Sequence, residues 1–392
     1  MNETIAPSDI YDKNLNFLFG SGASSGLFPT LALEIKKEEG RSWSLEDLAT
    51  HFENTEDPRL IPLFMHYYVS CIQPAQVLKL ELVIGQEKQQ VIRNYRDFLE
   101  TVLKILPRRK SLERRCNIFT TNYDGCIPLV ADEIIREGNV DFLLNDGTRG
   151  FRRRYLQAQN FNTYLCQTGI FERHQISIPQ INLIHLHGSV YWKKEKSSIV
   201  VDYINSATDN ILDGQLVEKL RPFSECLENK DASLADLTLP EFKKEELDDF
   251  WLSYKRLPIV NPTKWKFHET VFEEHYYQML RMLNYELEKP NAVLVTFGFS
   301  FADEHILNLI KRSLSNPHLQ VYICCYNDLA QEVLKREFRG YNNVRCIGLN
   351  GGDMDFTAFN KRVFTLDELP SINSAGASAD AKSASTKFKD GV

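Results

Sequence analysis

The sequence predicts an α/β fold, a Rossmann-like doubly wound parallel sheet with large helical insertions. Short apolar runs recur along the chain, and most are continuous rather than alternating, which is typical of parallel strands covered on both faces. Small or polar residues follow directly after these runs. Helical patterns come next, so that strand, turn and helix repeat in the order expected of a doubly wound sheet.

Six apolar runs are the predicted strands, and their residue ranges are 15–19, 117–121, 182–186, 292–297, 321–325 and 344–348. Between them, residues 81–105 and 270–288 carry helix-forming residues with apolar side chains near helical spacing. Ser300 and Asp303 resemble the two ends of a capping box, which predicts a helix over residues 305–314.

Two intervals between strands are too long for simple crossovers. About 95 residues separate the first two runs, and a similar stretch separates the third run from the fourth. We therefore predict one domain over residues 1–370, with helical insertions at about 30–110 and 200–290. Its core strands are predicted within residues 14–28, 117–126, 181–192 and 291–350. The Ser/Ala-rich end, residues 371–392, is predicted to be disordered.

Charge and cysteine usage exclude several classes of protein. The net charge is −7 and the pI about 5.8, so the overall charge does not indicate a general nucleic-acid-binding protein. The first residues lack the features of a signal peptide, and no apolar run reaches the roughly 18–20 residues of a spanning helix, so we expect a cytoplasmic protein without membrane contact. None of the eight cysteines forms a C-x-x-C pair, so we expect free thiols and no bound metal.

Each of the first five strands ends in a small or polar turn. In chain order these turns are GSGAS at 20–24, TTNYD at 120–124, HGS at 187–189, GFS at 298–300 and YND at 326–328. In open α/β sheets, ligands bind beyond the carboxyl ends of the strands, where glycines allow close approach and helix N-termini favour anions. The five turns together therefore predict a nucleotide site.

The glycine pattern excludes two common nucleotide-binding classes. Gly20, Gly22 and Gly26 form G-x-G-x-x-x-G, not the G-x-G-x-x-G of hydride-transfer enzymes, and no acidic ribose clamp ends a second strand about twenty residues later. The chain also lacks G-x-x-x-x-G-K-[ST], so it is not expected to be a P-loop ATPase.

The motifs GSGAS, TTNYD, LHGS, GFS and YND, in this order, resemble the sirtuin superfamily. The resemblance covers roughly residues 14–28, 117–126, 183–192 and 291–350. The long intervals have no clear match in deacetylase sirtuins. They look more like the enlarged sirtuin-like proteins of bacterial antiphage defence systems, which pair with a HerA-type hexameric ATPase, and the stretch GFSFADEHI is similar to that branch.

This resemblance implies NAD+ as the substrate and catalytic roles for Asn122 and His187. Asn122 would hold the nicotinamide ribose and a water, and His187 would accept a proton from a ribose hydroxyl. Contacts with the dinucleotide are implied for Gly20, Ser21, Gly22, Ala23, Ser24, Thr121, Asp124, Gly298, Ser300 and Asn327.

The polar residues among these have structural alternatives. Asn122 and Asn327 can close local turns, and Asp124 and Ser300 can cap helices.

The histidines next to the third strand have alternatives as well. His185 lies two positions before His187 on the same face of the strand, and we expect it to support the site. Asp303 and His305 are more often cap and surface residues, so the sequence does not assign them to the site.

The implied function is hydrolysis of NAD+ to nicotinamide and ADP-ribose, which would deplete NAD in antiphage defence by abortive infection. One alternative is a non-catalytic sensor of NAD or ADP-ribose that regulates a partner ATPase. A protein deacylase is disfavoured because deacetylase sirtuins carry a four-cysteine zinc module between the catalytic histidine and the later strands, and this sequence lacks those cysteines.

The resemblance also implies partners. We expect a homo-oligomer and a HerA-type hexameric ATPase, because the insertions can form interfaces and the chain has no P-loop of its own. No direct sequence-specific contact with nucleic acid is expected. A basic cluster of Arg149, Arg152, Arg153 and Arg154 is usually a solvated face, and a phosphate or partner contact is the alternative.

Overall fold

The computed structural model describes residues 5–110, 113–168, 175–204, 211–261 and 270–366. The predicted disordered tail at 371–392 lies outside the described residues. The strands are β1 (Asn14–Phe19), β2 (Ala32–Lys36), β3 (Ser42–Ser44), β4 (Arg115–Thr120), β5 (Leu143–Asn145), β6 (Thr148–Arg149), β7 (Tyr155–Leu156), β8 (Cys166–Thr168), β9 (Gln175–Ser177), β10 (Gln180–His185), β11 (Trp192–Glu195), β12 (Ser198–Val201), β13 (Ala292–Phe297), β14 (Gln320–Cys324) and β15 (Val344–Ile347).

The α-helices of the same residues are α1 (Pro7–Ile10), α2 (Leu45–Asn54), α3 (Leu60–Tyr67), α4 (Gln73–Gln76), α5 (Gln86–Ile105), α6 (Cys126–Glu137), α7 (Gly214–Leu227), α8 (Lys244–Tyr254), α9 (Thr270–Glu288), α10 (Glu304–Ser313), α11 (Asp328–Glu337) and α12 (Phe356–Ala358). None of these helices is long and apolar enough to cross a membrane.

A seven-stranded parallel sheet, in the order β15-β14-β13-β1-β4-β10-β5, confirms the predicted α/β, Rossmann-like class. The six predicted strands lie within two residues of the observed bounds. The seventh strand, β5, was not predicted, because its three residues are too few to show a periodic pattern.

The strand order reverses at β1. The chain places β4, β5 and β10 on one side of β1 and then returns to place β13, β14 and β15 on the other. The crevice beyond the carboxyl ends of β1 and β13 is therefore the topological switch point, where doubly wound sheets bind ligands.

Both faces of the sheet are covered. Alternate side chains of each central strand point to opposite faces, so that Leu18 joins one buried cluster while Phe17 and Phe19 join the other. Helices α5, α6 and α12 cover the face of Phe17. Helices α9 and α10 cover the face of Leu18.

The two predicted insertions pack against each other over the face of Leu18. The Arg59 side chain donates to the backbone oxygens of Leu234 and Leu237, each at 3.0 Å. On α3, His66 Nδ1 lies 2.9 Å from Ser224 Oγ on α7. These contacts join α2 and α3 to α7 and α8 in one helical layer. Helix α5 belongs to the first predicted insertion but covers the opposite face, as a crossover helix between β1 and β4 does.

One predicted helix boundary was wrong for a local reason. The helix predicted over 81–105 begins at Gln86, because Leu80–Leu82 forms a 3₁₀ turn and Gly85 follows it with φ +103°. Only glycine adopts that backbone conformation readily, so the helix cannot extend back through it.

A ladder of buried asparagines crosses the sheet. Asn16, Asn117, Asn182 and Asn145 are register partners on β1, β4, β10 and β5. Asn145 Nδ2 donates to Asn182 Oδ1 at 3.1 Å, Asn182 to Asn117 at 2.8 Å, and Asn117 to Asn16 at 2.7 Å. Asn16 Nδ2 then donates to the backbone oxygen of Val293 on β13. A slip by one residue would leave these buried amides unpaired, so the ladder fixes the register.

We expect Asn117→Leu to lower the free energy of unfolding by about 2–5 kcal/mol, because it leaves Asn16 Oδ1 buried without a partner and Asn182 Nδ2 with only a long contact of 3.4 Å to Phe161 O. Denaturant unfolding measures this. The matched control is Asn308→Leu on the exposed side of α10, which should change stability by no more than about 0.5 kcal/mol. Equal effects of the two substitutions would contradict the ladder.

Stability should also fall in acid through His66. Burial lowers the pKa of His66 to about 4, whereas the unfolded chain takes up this proton near pH 6.5. The neutral histidine therefore contributes stability above pH 6.5, and up to about 3 kcal/mol of it is lost as the pH falls to 4. We expect His66→Gln to make the free energy of unfolding depend less steeply on pH in that window. Identical slopes for the parent and His66→Gln would refute this assignment.

Candidate functional site

Two loops meet backbone to backbone at the switch point. Gly20 N donates to the oxygen of Phe297 at 3.1 Å, and Gly22 N donates to the oxygen of Gly298 at 3.0 Å. The turns after β1 and β13 are thereby joined at one edge of the sheet.

Each loop requires glycine because the backbone of the other loop lies close to it. A Cβ added to Gly20 would lie 2.5 Å from Gly298 O, and one added to Gly298 would lie 2.4 Å from Ala23 N. Gly298 also has φ +63°, a conformation that favours glycine. Contact between the two loops therefore explains the two glycines of GSGAS, while the contact of this turn with a dinucleotide stays a prediction.

Ser24 is the centre of a buried hydrogen-bond network. Its hydroxyl donates to Asp124 Oδ2 at 2.7 Å and accepts from Asn122 Nδ2 at 3.2 Å. Tyr95 Oη on α5 lies 2.8 Å from Ser24 Oγ and is the donor of that pair, because the serine proton is used on Asp124. Burial, followed by the nearby charge of Asp124, raises the pKa of Tyr95, so the phenol keeps its proton. Three predicted site residues are thus brought together, and the sequence analysis missed Tyr95.

Asp124 also contacts the start of α6, although the N-cap of this helix is Gly125. Its Oδ1 accepts from Cys126 N, the first residue of α6, at 3.0 Å, while Oδ2 accepts from Ser24. One carboxylate therefore orders both the start of the helix and the loop after β1.

Asn122 is held through its main chain. Its N–H donates to Thr120 Oγ1, and its carbonyl oxygen lies 3.1 Å from Nδ1 of His185. Burial lowers the pKa of His185, so the ring is neutral and Nδ1–H is the donor. His185 Nε2 has no hydrogen-bond partner within the described part of the chain. The contact places His185 behind Asn122, in the position expected of a supporting residue.

His187 pairs with a residue that the sequence analysis did not assign to the site. His187 Nε2 lies 3.0 Å from Asp303 Oδ2, and the two side chains are 16% and 8% exposed. Asp303 Oδ1 accepts from the backbone N–H groups of His305 and Ile306 at the start of α10. One carboxylate oxygen of Asp303 is therefore held by the start of α10, and the other oxygen holds the imidazole of His187.

The predicted capping box at Ser300 was wrong. Helix α10 begins at Glu304, and its N-cap is Asp303. Ser300 is exposed, and its hydroxyl accepts weakly from Ala302 N at 3.4 Å. Phe301 lies between them, buried and with φ +61°, a strained conformation for a phenylalanine. This left-handed turn brings Asp303 to His187, and nothing in the sequence signals it.

The main chain around His187 is held by the second insertion. Val260 N donates to His187 O at 2.9 Å. Gly188 has φ +83°, and a Cβ there would lie 2.1 Å from Pro258 O. The helical layer therefore fixes the position of the histidine.

The remaining predicted residues lie around this centre. Thr121 N donates to Phe19 O at 3.0 Å, which ties the turn after β4 to β1. Ser21 is exposed and Ala23 is buried. Asn327 is the N-cap of α11, with Oδ1 accepting from Ala330 N at 2.9 Å, a structural role that differs from the turn closure considered for it. No hydrogen bond between described residues joins Ser300 or Asn327 to Asn122 or His187.

Two surface cavities lie elsewhere. One, of about 250 Å³, lies beside β15, and the other, of about 220 Å³, lies at the amino ends of β1 and β4. Among the described residues, no group of three His, Cys, Asp or Glu side chains could hold a metal ion. The candidate site is therefore defined by its hydrogen-bonded side chains at the carboxyl edge.

No family model matches the chain, and no curated protein is similar enough to count as a match. The sirtuin resemblance of its motifs stays a prediction.

We expect Gly298→Ala to destabilise the protein by roughly 2 kcal/mol more than Gly138→Ala. Both glycines have positive φ, +63° and +71°, so both variants carry the left-handed strain of about 1–2 kcal/mol. Only Gly298 meets backbone atoms, whereas nothing lies within 4 Å of a Cβ at Gly138. Thermal and denaturant unfolding compare the two variants, and equal losses would show that the loop contact is not tight.

Proposed function

We propose that the chain is a sirtuin-like NAD+ glycohydrolase that cleaves NAD+ to nicotinamide and ADP-ribose. The observation that carries the proposal is the pairing of His187 Nε2 with Asp303 Oδ2 at 3.0 Å, beside Asn122 at the end of the adjacent strand. A buried, fixed carboxylate behind a partly exposed imidazole is an arrangement that orients a general base.

The reaction requires the protein mainly to orient the substrate and to stabilise developing charge. The ring that leaves is cationic in NAD+ and departs neutral, so the bond to ribose is already activated. The protein has to orient the dinucleotide, stabilise an oxocarbenium-like centre and deliver water. We assign the phosphates to the Gly20–Ser24 turn rather than to a lysine, through groups other than the N–H groups of Gly20, Gly22 and Ala23, which already donate within the protein.

His187 is the proposed proton acceptor. With Asp303 accepting from Nε2–H, the other ring nitrogen, Nδ1, is left with its lone pair to accept a proton from a ribose hydroxyl. Asp303 then stabilises the imidazolium that forms. Asp303 is a positioning residue on this account, because it acts through His187.

Asn122 is the proposed group for the ribose and the attacking water. Its Nδ2 is engaged by Ser24, and its backbone by Thr120 and His185. No described residue engages its Oδ1, so we assign that oxygen to the ribose or to the water. The side-chain amide of Asn122 is held in place while its oxygen stays available, so it can position a substrate group or water in a reaction that forms no covalent bond to the protein.

A non-catalytic sensor of NAD or ADP-ribose is the second candidate. It is favoured by the extent to which Ser24, Asp124 and Asn327 are already satisfied inside the protein. Such a scaffold could hold a dinucleotide without turning it over. Protein deacylation is a third and weaker candidate.

The cellular role is proposed from the resemblance alone. We propose a homo-oligomer that works with a HerA-type hexameric ATPase and depletes NAD when phage infect. Mass measurement in solution at micromolar protein tests self-assembly, and co-purification with an ATPase encoded nearby tests the partner. A monomeric mass, together with failure to co-purify with the ATPase, would overturn the proposed assembly.

We expect Asn122→Ala and His187→Ala each to lower NAD+ hydrolysis roughly 10²-fold or more, the usual scale for a lost positioning or acid–base group. Asp303→Asn should lower kcat by a similar factor with little change in KM, because asparagine still caps α10 but presents an amide N–H to His187. The exposed neighbour His305→Gln is the control and should keep the parent rate. Chromatography of nicotinamide and ADP-ribose measures all four variants.

The same experiment separates the candidate functions. A folded His187→Ala or Asn122→Ala variant that hydrolyses NAD+ at near the parent rate would show that the mechanism is wrong. Binding of NAD+ without nicotinamide release, with and without the ATPase, would establish the sensor. Formation of O-acetyl-ADP-ribose from an acetylated peptide would establish the deacylase.

A further inference from the structure

A small antiparallel sheet beside the central one carries the basic cluster. Its order is β11-β12-β7-β6. Trp192, Leu156, Ile199 and Val201 are buried on its inner side. The alternate side chains therefore face outward, as in any antiparallel sheet with one solvated face.

The outer face presents positive charge at both edges. The register pairs Arg149 with Tyr155, Tyr155 with Val200, and Val200 with Lys193, so these four residues form one row across the sheet. Arg149 and Lys193 occupy its two ends.

The turn between β6 and β7 projects an aromatic ring from this face. Phe151 is fully exposed, and Arg152 and Arg153 beside it are exposed as well. Gly150 has φ +133°, and a Cβ there would lie 1.9 Å from Arg153 O. The turn is therefore tight and glycine-dependent, and it holds Phe151 away from the core.

The charge of this region opposes that of the whole chain. Residues 146–156 and 192–203 contain seven basic and three acidic side chains, a net charge of +4 in a chain of −7. Asp146 forms an ion pair with Arg154 at 3.0 Å, and Asp202 forms one with Lys193 at 3.6 Å. No acid within the described residues pairs with Arg149 or Arg152.

We propose that this surface, residues 149–153 with Lys193, binds single-stranded nucleic acid without sequence preference. Arg149 and Arg152 would contact phosphates, and Phe151 would stack on a base. An aromatic ring between guanidinium groups matches the alternation of phosphate and base in a single strand. A duplex keeps its bases stacked and inaccessible, and a membrane surface would call for several apolar side chains around the ring.

The test is binding of a 5′-fluorescein-labelled oligo-dT of twenty residues to the full chain in 50 mM salt, followed by anisotropy. We expect Phe151→Ala to weaken binding roughly tenfold, within the range for a lost base–aromatic stack. The double variant Arg149→Gln/Arg152→Gln should reduce the slope of log K against log salt by about 1.4, because each phosphate contact on a single strand contributes about 0.7.

The matched control is Arg312→Gln/Arg336→Gln, which removes two arginines with side chains 76% and 81% exposed elsewhere on the surface. It should bind like the parent, and circular dichroism should show all variants folded. An unlabelled duplex of the same length should compete poorly.

Three outcomes would overturn the proposal. They are absence of binding at 50 mM salt, equal loss in the control variant, and equal competition by polyglutamate or by anionic phospholipid vesicles, which would assign the surface to an acidic protein or a membrane. The assay contains no NAD+, so its result is separate from that of the proposed hydrolase.

Discussion

The arrangement of the candidate site depends on the register of the parallel strands. The asparagine ladder fixes Asn16, Asn117 and Asn182 at one level across β1, β4 and β10. Ser21, Asn122 and His187 each lie five residues beyond the ladder residue of their own strand. Parallel strands rise by equal steps, so equal offsets bring the three turns to the same height above the sheet. A slip by one residue in any strand would separate them.

The ladder contributes specificity more than stability. A chain of buried amides exchanges hydrogen bonds with water for hydrogen bonds with protein, and the net gain is about 1 kcal/mol for each bond. Its larger effect is on incorrect registers, where each orphaned amide costs about 1–3 kcal/mol. Apolar side chains alone discriminate poorly here, because the inner strands are buried on both faces and a slip exchanges one apolar residue for another.

Sequence patterns revealed the strands but not the contacts between distant segments. Continuous apolar runs located six of the seven central strands, and the asparagines within them gave no sign of being register partners, since pairing depends on tertiary structure. Ser24 was predicted to meet the ligand. That contact stays a prediction, and Ser24 lies at the centre of a network completed by Tyr95, 71 residues away, which the sequence did not indicate. Asp303 is a residue type that is common at helix N-caps, and it does cap α10. Its second carboxylate oxygen contacts His187 because of a left-handed turn at Phe301.

Charge at the carboxyl edge limits where a dinucleotide could lie. Asp124 and Asp303 bind the first N–H groups of α6 and α10, so the positive ends of these two helices are already neutralised by carboxylates. Phosphates would be repelled there. The N-cap of helix α11 is the neutral Asn327, but Asp328 lies in its first turn, so a carboxylate is close to this helix end as well. We therefore propose that the phosphates of a bound dinucleotide lie at the turn after β1, away from these helix ends. On the proposed mechanism its nicotinamide ribose lies toward Asn122 and His187, where the carboxylate of Asp303 would stabilise a developing cation.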